Sequence, residues 1–299
     1  MFSAPGTIAL AQAPAGGVPW DNSTTAAQLQ AAIDQALIEK RIPGASVAIR
    51  QGDIRWTSNS GLADVANGIA PTADTYFGYR SITKSFVTTV IMQLAEEGRI
   101  GLDDPVSDYV DGVPGGDVMT IRQLAQMRSG LFNYTESAAF AAQFGLDPSK
   151  AWTARELLAF AFAEPLQFTP GASYEYSNSN TILLGEVITA ATGNDWSDEV
   201  SRRLTGPLGL SSVINQGAGS MPTPNAVGYI DVNDGTGPES LAAFNATGAG
   251  ASGGAGGCHR RRRALGKGGR QRRTAEQARL RRTVEVVRLH KVRSAKPGI

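Results

Sequence analysis

Ser81 and Lys84 stand three positions apart in the phrase TYFGYRSITKSFV, where apolar residues begin to recur with a helical period. Positions i and i+3 share a helix face. A lysine amine placed there can accept the serine hydroxyl proton, provided burial lowers the lysine pKa. A serine in the first helical turn also lies beside free backbone N–H groups and the positive end of the helix dipole, which stabilise an alkoxide and a developing oxyanion. The string alone is unspecific, because about one Ser-x-x-Lys arises by chance in a chain of this length. The inventory of other nucleophiles and bases sharpens it. Cys258 and both histidines, His259 and His290, lie in the last 42 residues, so the preceding 257 contain no histidine base, no thiol and no imidazole metal ligand. One cysteine and two histidines give no basis for an internal disulfide or a Cys/His zinc cluster. Nucleophilic chemistry in the body therefore falls to Ser, Thr, Lys, Tyr, Asp or Glu.

A second phrase, PGASYEYSNSNTILLGEVI, carries Tyr176-Ser177-Asn178 just ahead of another helical pattern. Read by itself, Tyr176 is a packed aromatic and Asn178 a helix cap. Beside a Ser/Lys pair, a phenol can shuttle a proton and an Asn side chain can orient a substrate amide.

The elements that position these residues follow from the pattern of apolar residues. Residues 27–42 read as an amphipathic helix with Leu29, Ile33, Leu37 and Ile38 on one face, ended by Pro43-Gly44. Residues 45–50 and 54–58 alternate apolar and polar around Gln51-Gly52-Asp53, the pattern of a hairpin with one buried and one wet face. From Ser81 the spacing becomes helical, with Phe86, Val90, Met92, Leu94 and Ala95 ahead of a stop at Gly98. Further helices are predicted over 121–127, 153–164 (opening with a Thr153/Glu156 capping box), 181–192 and 198–204. The chain thus reads as a helix and strand hairpin over 21–80 and a helical region over 81–215. A Gly/Pro-rich segment follows over 216–257, where GAGASGGAGG offers no pattern for an element, and then a tail over 258–299.

Taken in order, YRSITKSFVTTVIMQLAEEGRIGLDDPVSDYV, TIRQLAQMRSGLFNYT, FTPGASYEYSNSNTILLGEVITAATG, LTGPLGLSSV and NAVGYI resemble the serine β-lactamase and penicillin-binding superfamily. They are most similar to its secreted D-alanyl-D-alanine carboxypeptidases and class C β-lactamase relatives, over roughly residues 25–250. The resemblance implies an α/β fold of the β-lactamase/DD-peptidase kind, an antiparallel sheet with flanking helices, here incomplete, plus an all-helical region. It implies Ser81 as acyl-forming nucleophile, Lys84 as its proton partner, Tyr176 as general acid/base and Asn178 as a contact to the substrate amide. It also implies an oxyanion hole using the Ser81 amide, and no cofactor or metal. Where relatives carry HTSGL this chain has Met127-Arg128-Ser129-Gly130, a variation read as structural. The third family motif, Lys/His-Thr/Ser-Gly on a strand lining the site, has no counterpart in the sequence. That strand supplies a second oxyanion N–H, and losing one such donor typically costs ~10²- to 10³-fold in rate.

The net charge of +1 conceals a split. Residues 258–299 hold 15 of the 28 Lys and Arg and only two acids, Glu276 and Glu285, giving +13 against −12 for the rest. The abrupt change at about Ala251 is the pattern that a reading-frame shift in GC-rich coding sequence produces. The other readings of the tail are a disordered, solvated charge run and an electrostatic anchor for polyanions, with Leu280, Val284 and Val287 along one side of a short basic helix. No aromatic residue interleaves the arginines, so specific nucleic-acid recognition has no support. Residues 1–20 read either as a disordered arm or as a clipped leader, with AQA at 11–13 resembling a cleavage site. No apolar run approaches the roughly 18 residues of a membrane span.

Two functional readings follow. One is a serine hydrolase acting through an acyl-Ser81 intermediate on a peptidoglycan stem peptide ending in D-Ala-D-Ala, a β-lactam or a small ester, located in the cell envelope or outside the cell and monomeric by default. The other is a non-catalytic, truncated homologue whose basic tail binds polyanions without specificity.

Overall fold

The computed structural model describes residues 23–51, 54–215, 221–230 and 239–259, so the leader-like arm and the basic tail after His259 lie outside the described residues. The chain divides into two compact units, Met1–Ala73 and Asp74–Ile299.

In the first unit, α1 (Ser23–Glu39) precedes the hairpin of β1 (Gly44–Gln51) and β2 (Ile54–Gly61). Leu29, Ile33 and Leu37 are half-buried, whereas Ile38, expected on the same face, is exposed. It follows Leu37 directly and so turns about 100° away from it. The strands pair antiparallel from Gly44↔Gly61 to Gln51↔Ile54. Along β2 the alternation is strict, with Arg55, Thr57 and Asn59 exposed and Ser58 and Ser60 buried. The buried hydroxyls are satisfied from α1. Ser58 donates to Gln30 Oε1 at 2.6 Å and Gln30 Nε2 donates to Ser60 Oγ at 2.7 Å.

The second unit is built around two helices. In α2 (Thr83–Glu96), Val87, Val90, Ile91 and Leu94 are fully buried at i, i+3, i+4 and i+7, each contributing roughly 1.5–3 kcal/mol of burial. The surrounding helices are α3 (Ile121–Ala125), α4 (Ala138–Leu146), α5 (Ala154–Phe162), α6 (Asn178–Thr192) and α7 (Trp196–Val200). Helix α6 is buried around most of its circumference, with Ile182, Leu183, Leu184, Val187 and Ile188 in the core, because α2, α3, α5, α7 and the turn at 250–253 all pack on it. The capping box at Thr153 and Glu156 forms as the sequence predicts. Helix α7 continues into a wider turn, Ser201–Thr205, where the fully buried Glu199 takes hydrogen bonds from Arg202, Arg203 and Asn194.

Short strands complete this unit: β3 (Phe77–Gly78), β4 (Val213–Asn215), β5 (Tyr229–Ile230), β6 (Glu239–Ser240) and β7 (Ala255–Gly257), with one turn of helix, α8 (Gly250–Gly253), ahead of β7. Strand β7 runs antiparallel between β3 and β4, and β5 pairs with β6. This corrects the expectation that the Gly-rich segment forms no element. Its structure comes from backbone bonds and close approach, which leave no side-chain period to read. A Cβ at Gly257, for example, would strike the Tyr79 hydroxyl. Among the described residues no helix is long and apolar enough to cross a membrane.

Candidate active site

Ser81 lies in a short 3-10 turn, Arg80–Ile82, that leads into α2. Both sides of the turn are tied to β7. The Tyr79 N–H donates to the Ala255 carbonyl at 2.8 Å, and the Ala255 N–H donates to Thr83 Oγ1 at 3.0 Å. Between these bonds Arg80 takes a left-handed backbone, φ 48°, a conformation that costs about 1–3 kcal/mol for a residue with a Cβ and persists only where neighbours impose it. The Arg80 guanidinium packs over the Phe244 ring, 4.5 Å from its centroid. Ser81 itself is exposed.

Lys84 rises from the first turn of α2 into a buried position with three oxygens around Nζ: Ser81 Oγ at 3.2 Å, Asn178 Oδ1 at 2.7 Å and the Ser252 carbonyl at 2.8 Å. The last two can only accept. They fix two N–H bonds, and the remaining tetrahedral position faces Ser81, carrying a hydrogen in the ammonium and a lone pair in the amine. Burial pushes the Lys84 pKa below its ordinary value, opposed in part by Tyr176, so the amine form is favoured relative to an exposed lysine. Tyr176 Oη stands 2.7 Å from Ser81 Oγ and 3.3 Å from Asn178 Oδ1, and Lys84 Nζ lies 4.9 Å from the Tyr176 ring centroid.

Asn178 opens α6 and is held from the 133–135 segment. Its backbone N–H donates to Asn133 Oδ1 at 3.0 Å, and its Nδ2 donates to Asn133 Oδ1 and Thr135 Oγ1, both at 3.2 Å. The amide is thereby oriented with its oxygen on Lys84. Between Asn133 and Thr135, the Tyr134 hydroxyl donates to the Gly248 carbonyl at 2.7 Å, just ahead of α8, and burial pushes this phenol up to about 12. Ser81, Lys84, Tyr176 and Asn178, 94 to 95 residues apart across the two phrases, thus form one connected network. Asn133, Thr135 and Ser252 were not singled out from the sequence. The first two sit in the quoted RSGLFNYT phrase, and Ser252 takes part through its backbone, which no residue type reveals.

A hydroxyl held between a buried lysine and a phenol, at a helix start beside an antiparallel strand, has the geometry that nucleophilic acyl transfer by a serine requires. The chain belongs to the β-lactamase family, whose profile, described as Beta-lactamase, matches residues 29–289 and so extends into the basic tail. It is 31% identical over 204 residues to esterase EstB of Burkholderia gladioli, covering 64% of this chain and 51% of EstB. Among solved structures it is similar to a D-stereospecific amidohydrolase from Streptomyces sp. (TM-score 0.69, 35% identity, 77% of this chain and 69% of that one). It is also similar to the D-amino acid amidase of Ochrobactrum anthropi SV3 (TM-score 0.67, 30% identity, 77% and 67%). The chain spans about half the length of the curated relatives it matches.

Proposed function

We propose that the protein is a serine hydrolase that forms an acyl-Ser81 intermediate with a D-amino acid amide, a class that includes peptides ending in D-Ala-D-Ala, with a small ester, or with a β-lactam, whose strained amide is opened by the same attack. The observation that carries this reading is the placement of Ser81 Oγ within 3.2 Å of Lys84 Nζ and 2.7 Å of Tyr176 Oη. Ser81 Oγ attacks the acyl carbon as its proton passes to the Lys84 lone pair; the Tyr176 hydroxyl, bonded to the same oxygen, relays a proton to the departing amine or alkoxide. Water then adds to the acyl-serine, its proton following the reverse route, and the acid leaves as the Ser81 hydroxyl is restored. Asn178 serves here first as a positioning residue for Lys84. Both hydrogens of its Nδ2 are engaged, so a contact to the substrate amide displaces Thr135 or Asn133.

The preference for D-configured acyl groups rests on the two D-specific structural relatives, and the ester on EstB. A peptide substrate of the cell-wall type places the enzyme outside the cytosol. The competing reading, a non-catalytic homologue, draws on the missing Lys/His-Thr/Ser-Gly string. A panel of p-nitrophenyl acetate, D- and L-phenylalanine amide and a D-Ala-D-Ala peptide separates them. Hydrolysis of the ester and the D-amide, at least tenfold faster than the L-amide and lost in Ser81→Ala, is expected. Equal rates on the two amides overturn the stereochemical part, and turnover that survives Ser81→Ala overturns the acyl-serine.

A further inference from the structure

A partly open pocket of about 250 Å³ is lined by residues of α5, α6, α7 and α8. Its walls include Trp152, Trp196, Gly250 and Ala251, with Glu186 and Asp195 as its acids. The two carboxylates differ in what they already do. Asp195 caps α7, accepting from the Ser197 N–H at 2.8 Å. Glu186, half-buried on α6, accepts no hydrogen bond from any described residue. The charges that face it are Arg155 from the start of α5, exposed to solvent, and Asp195 from α7, and these oppose each other. Burial dominates and pushes the Glu186 carboxyl above its ordinary value. Its carboxylate oxygens are not sealed off from solvent, so a ligand entering the cavity can reach them.

The rest of the lining says what that ligand is. One face of Trp152 is covered by Lys150, whose Nζ sits 3.8 Å from the ring centroid, so this indole serves as an apolar wall. Trp196 is half-buried and free of any ring or cation contact among the described residues. A glycine at 185 makes room for it and for α8, since a Cβ there would come within 2.9 Å of the Ala251 Cβ and 3.4 Å of the Trp196 ring. The space is too large for a single water, whose share of liquid volume is about 30 Å³, and smaller than a typical drug-sized site of roughly 300–1,000 Å³. A compact body with an apolar surface and a positively charged donor fits all three features.

We propose that this cavity is a binding site for a small organic ammonium ion, with Glu186 as its counter-ion and Trp152 and Trp196 as its apolar walls. The site stands apart from Ser81 and does not depend on the acyl-serine reading. It is nonetheless one helical turn away from it: Gly250 and Ala251 face the cavity while the Ser252 carbonyl of the same turn holds Lys84. An occupant therefore lies against the element that positions the lysine.

Isothermal titration with benzylammonium at pH 8 tests this, with benzyl alcohol and benzoate as neutral and anionic counterparts of the same shape. One-to-one binding of benzylammonium is expected, at least tenfold tighter than either counterpart. It should be weakened at least tenfold in Glu186→Gln, which preserves the side-chain shape, and unchanged in Ser81→Ala. Ala154→Trp, at the half-buried start of α5, fills the cavity from its rim and should abolish binding while circular dichroism stays native. Equal binding of benzylammonium and benzyl alcohol, undiminished binding in Glu186→Gln, or no binding to the folded wild-type chain overturns the proposal.

Discussion

Replacing Lys84 by alanine lowers the rate of Ser81 acylation by about 10²- to 10⁴-fold, the range expected when a positioned proton acceptor is removed. The side chain is the described group within hydrogen-bond distance of Ser81 Oγ whose lone pair can take the proton directly, and its other two directions are held by Asn178 and Ser252. The same geometry fixes a pH dependence. Acylation needs the amine, so its rate rises with pH through a Lys84 pKa that burial holds below the ordinary 10.5. Between the folded pKa and 10.5 the unfolded chain binds more protons at this residue than the folded one. Stability therefore rises with pH across that window, and the cost of burying Lys84 is fully present below it. A time course of adduct formation from pH 6 to 10, with Lys84→Ala alongside, reads both effects. An unchanged rate in Lys84→Ala, or a rate independent of pH, removes the lysine from the mechanism.

The second large effect concerns stability. Glu199→Ala is expected to cost about 3–5 kcal/mol, the usual consequence of removing one partner from a buried ion pair. The Glu199 side chain is fully buried, that of Arg203 is 10% exposed, and Arg203 also reaches Glu97 at 2.7 Å, so the carboxylate joins α7 and the following turn to the end of α2. Arg202, 59% exposed at its side chain, keeps its solvent contact and contributes little to the loss. Burial pushes the Glu199 carboxyl up, but the bonds from Arg203, Arg202 and Asn194 outweigh it and hold the pKa below the ordinary 4.5. Its stabilising contribution is therefore present above pH 4.5 and lost as pH falls through the lower folded value. Urea denaturation at pH 7 and pH 3 checks both statements. A change under 1 kcal/mol at pH 7 contradicts the account of this pair.

How much of this was legible depended on whether side chains or backbone made the structure. Of the apolar positions that the spacing singles out in α2, Val90 and Leu94 are fully buried and Phe86, Met92 and Ala95 only half-buried, the buried stripe being completed by Val87 and Ile91; the Thr153 capping box and the hairpin alternation are visible directly in the sequence. Helix α4, by contrast, is AAFAAQFGL, almost uniformly small and apolar, so no face stands out. Strands β3 and β5 are two residues long, too short to show an alternation. Asn178 reads as a cap but begins α6, because its side chain is spent on Lys84 rather than on the helix end; Ser177 takes the cap position without a side-chain bond. The Ser/Lys/Tyr/Asn set was legible from two short phrases. The carbonyl of Ser252 was not, since α8 and β7 arise from a glycine run whose packing depends on missing side chains.

The central claim is that Ser81 becomes acylated. Intact mass of the purified chain after incubation with a penicillin, with Ser81→Ala in parallel and circular dichroism as a check of folding, tests it most directly. The account predicts an adduct of penicilloyl mass on the wild-type chain and none on Ser81→Ala. A folded wild-type chain that gains no mass, or an adduct that survives in Ser81→Ala, contradicts it.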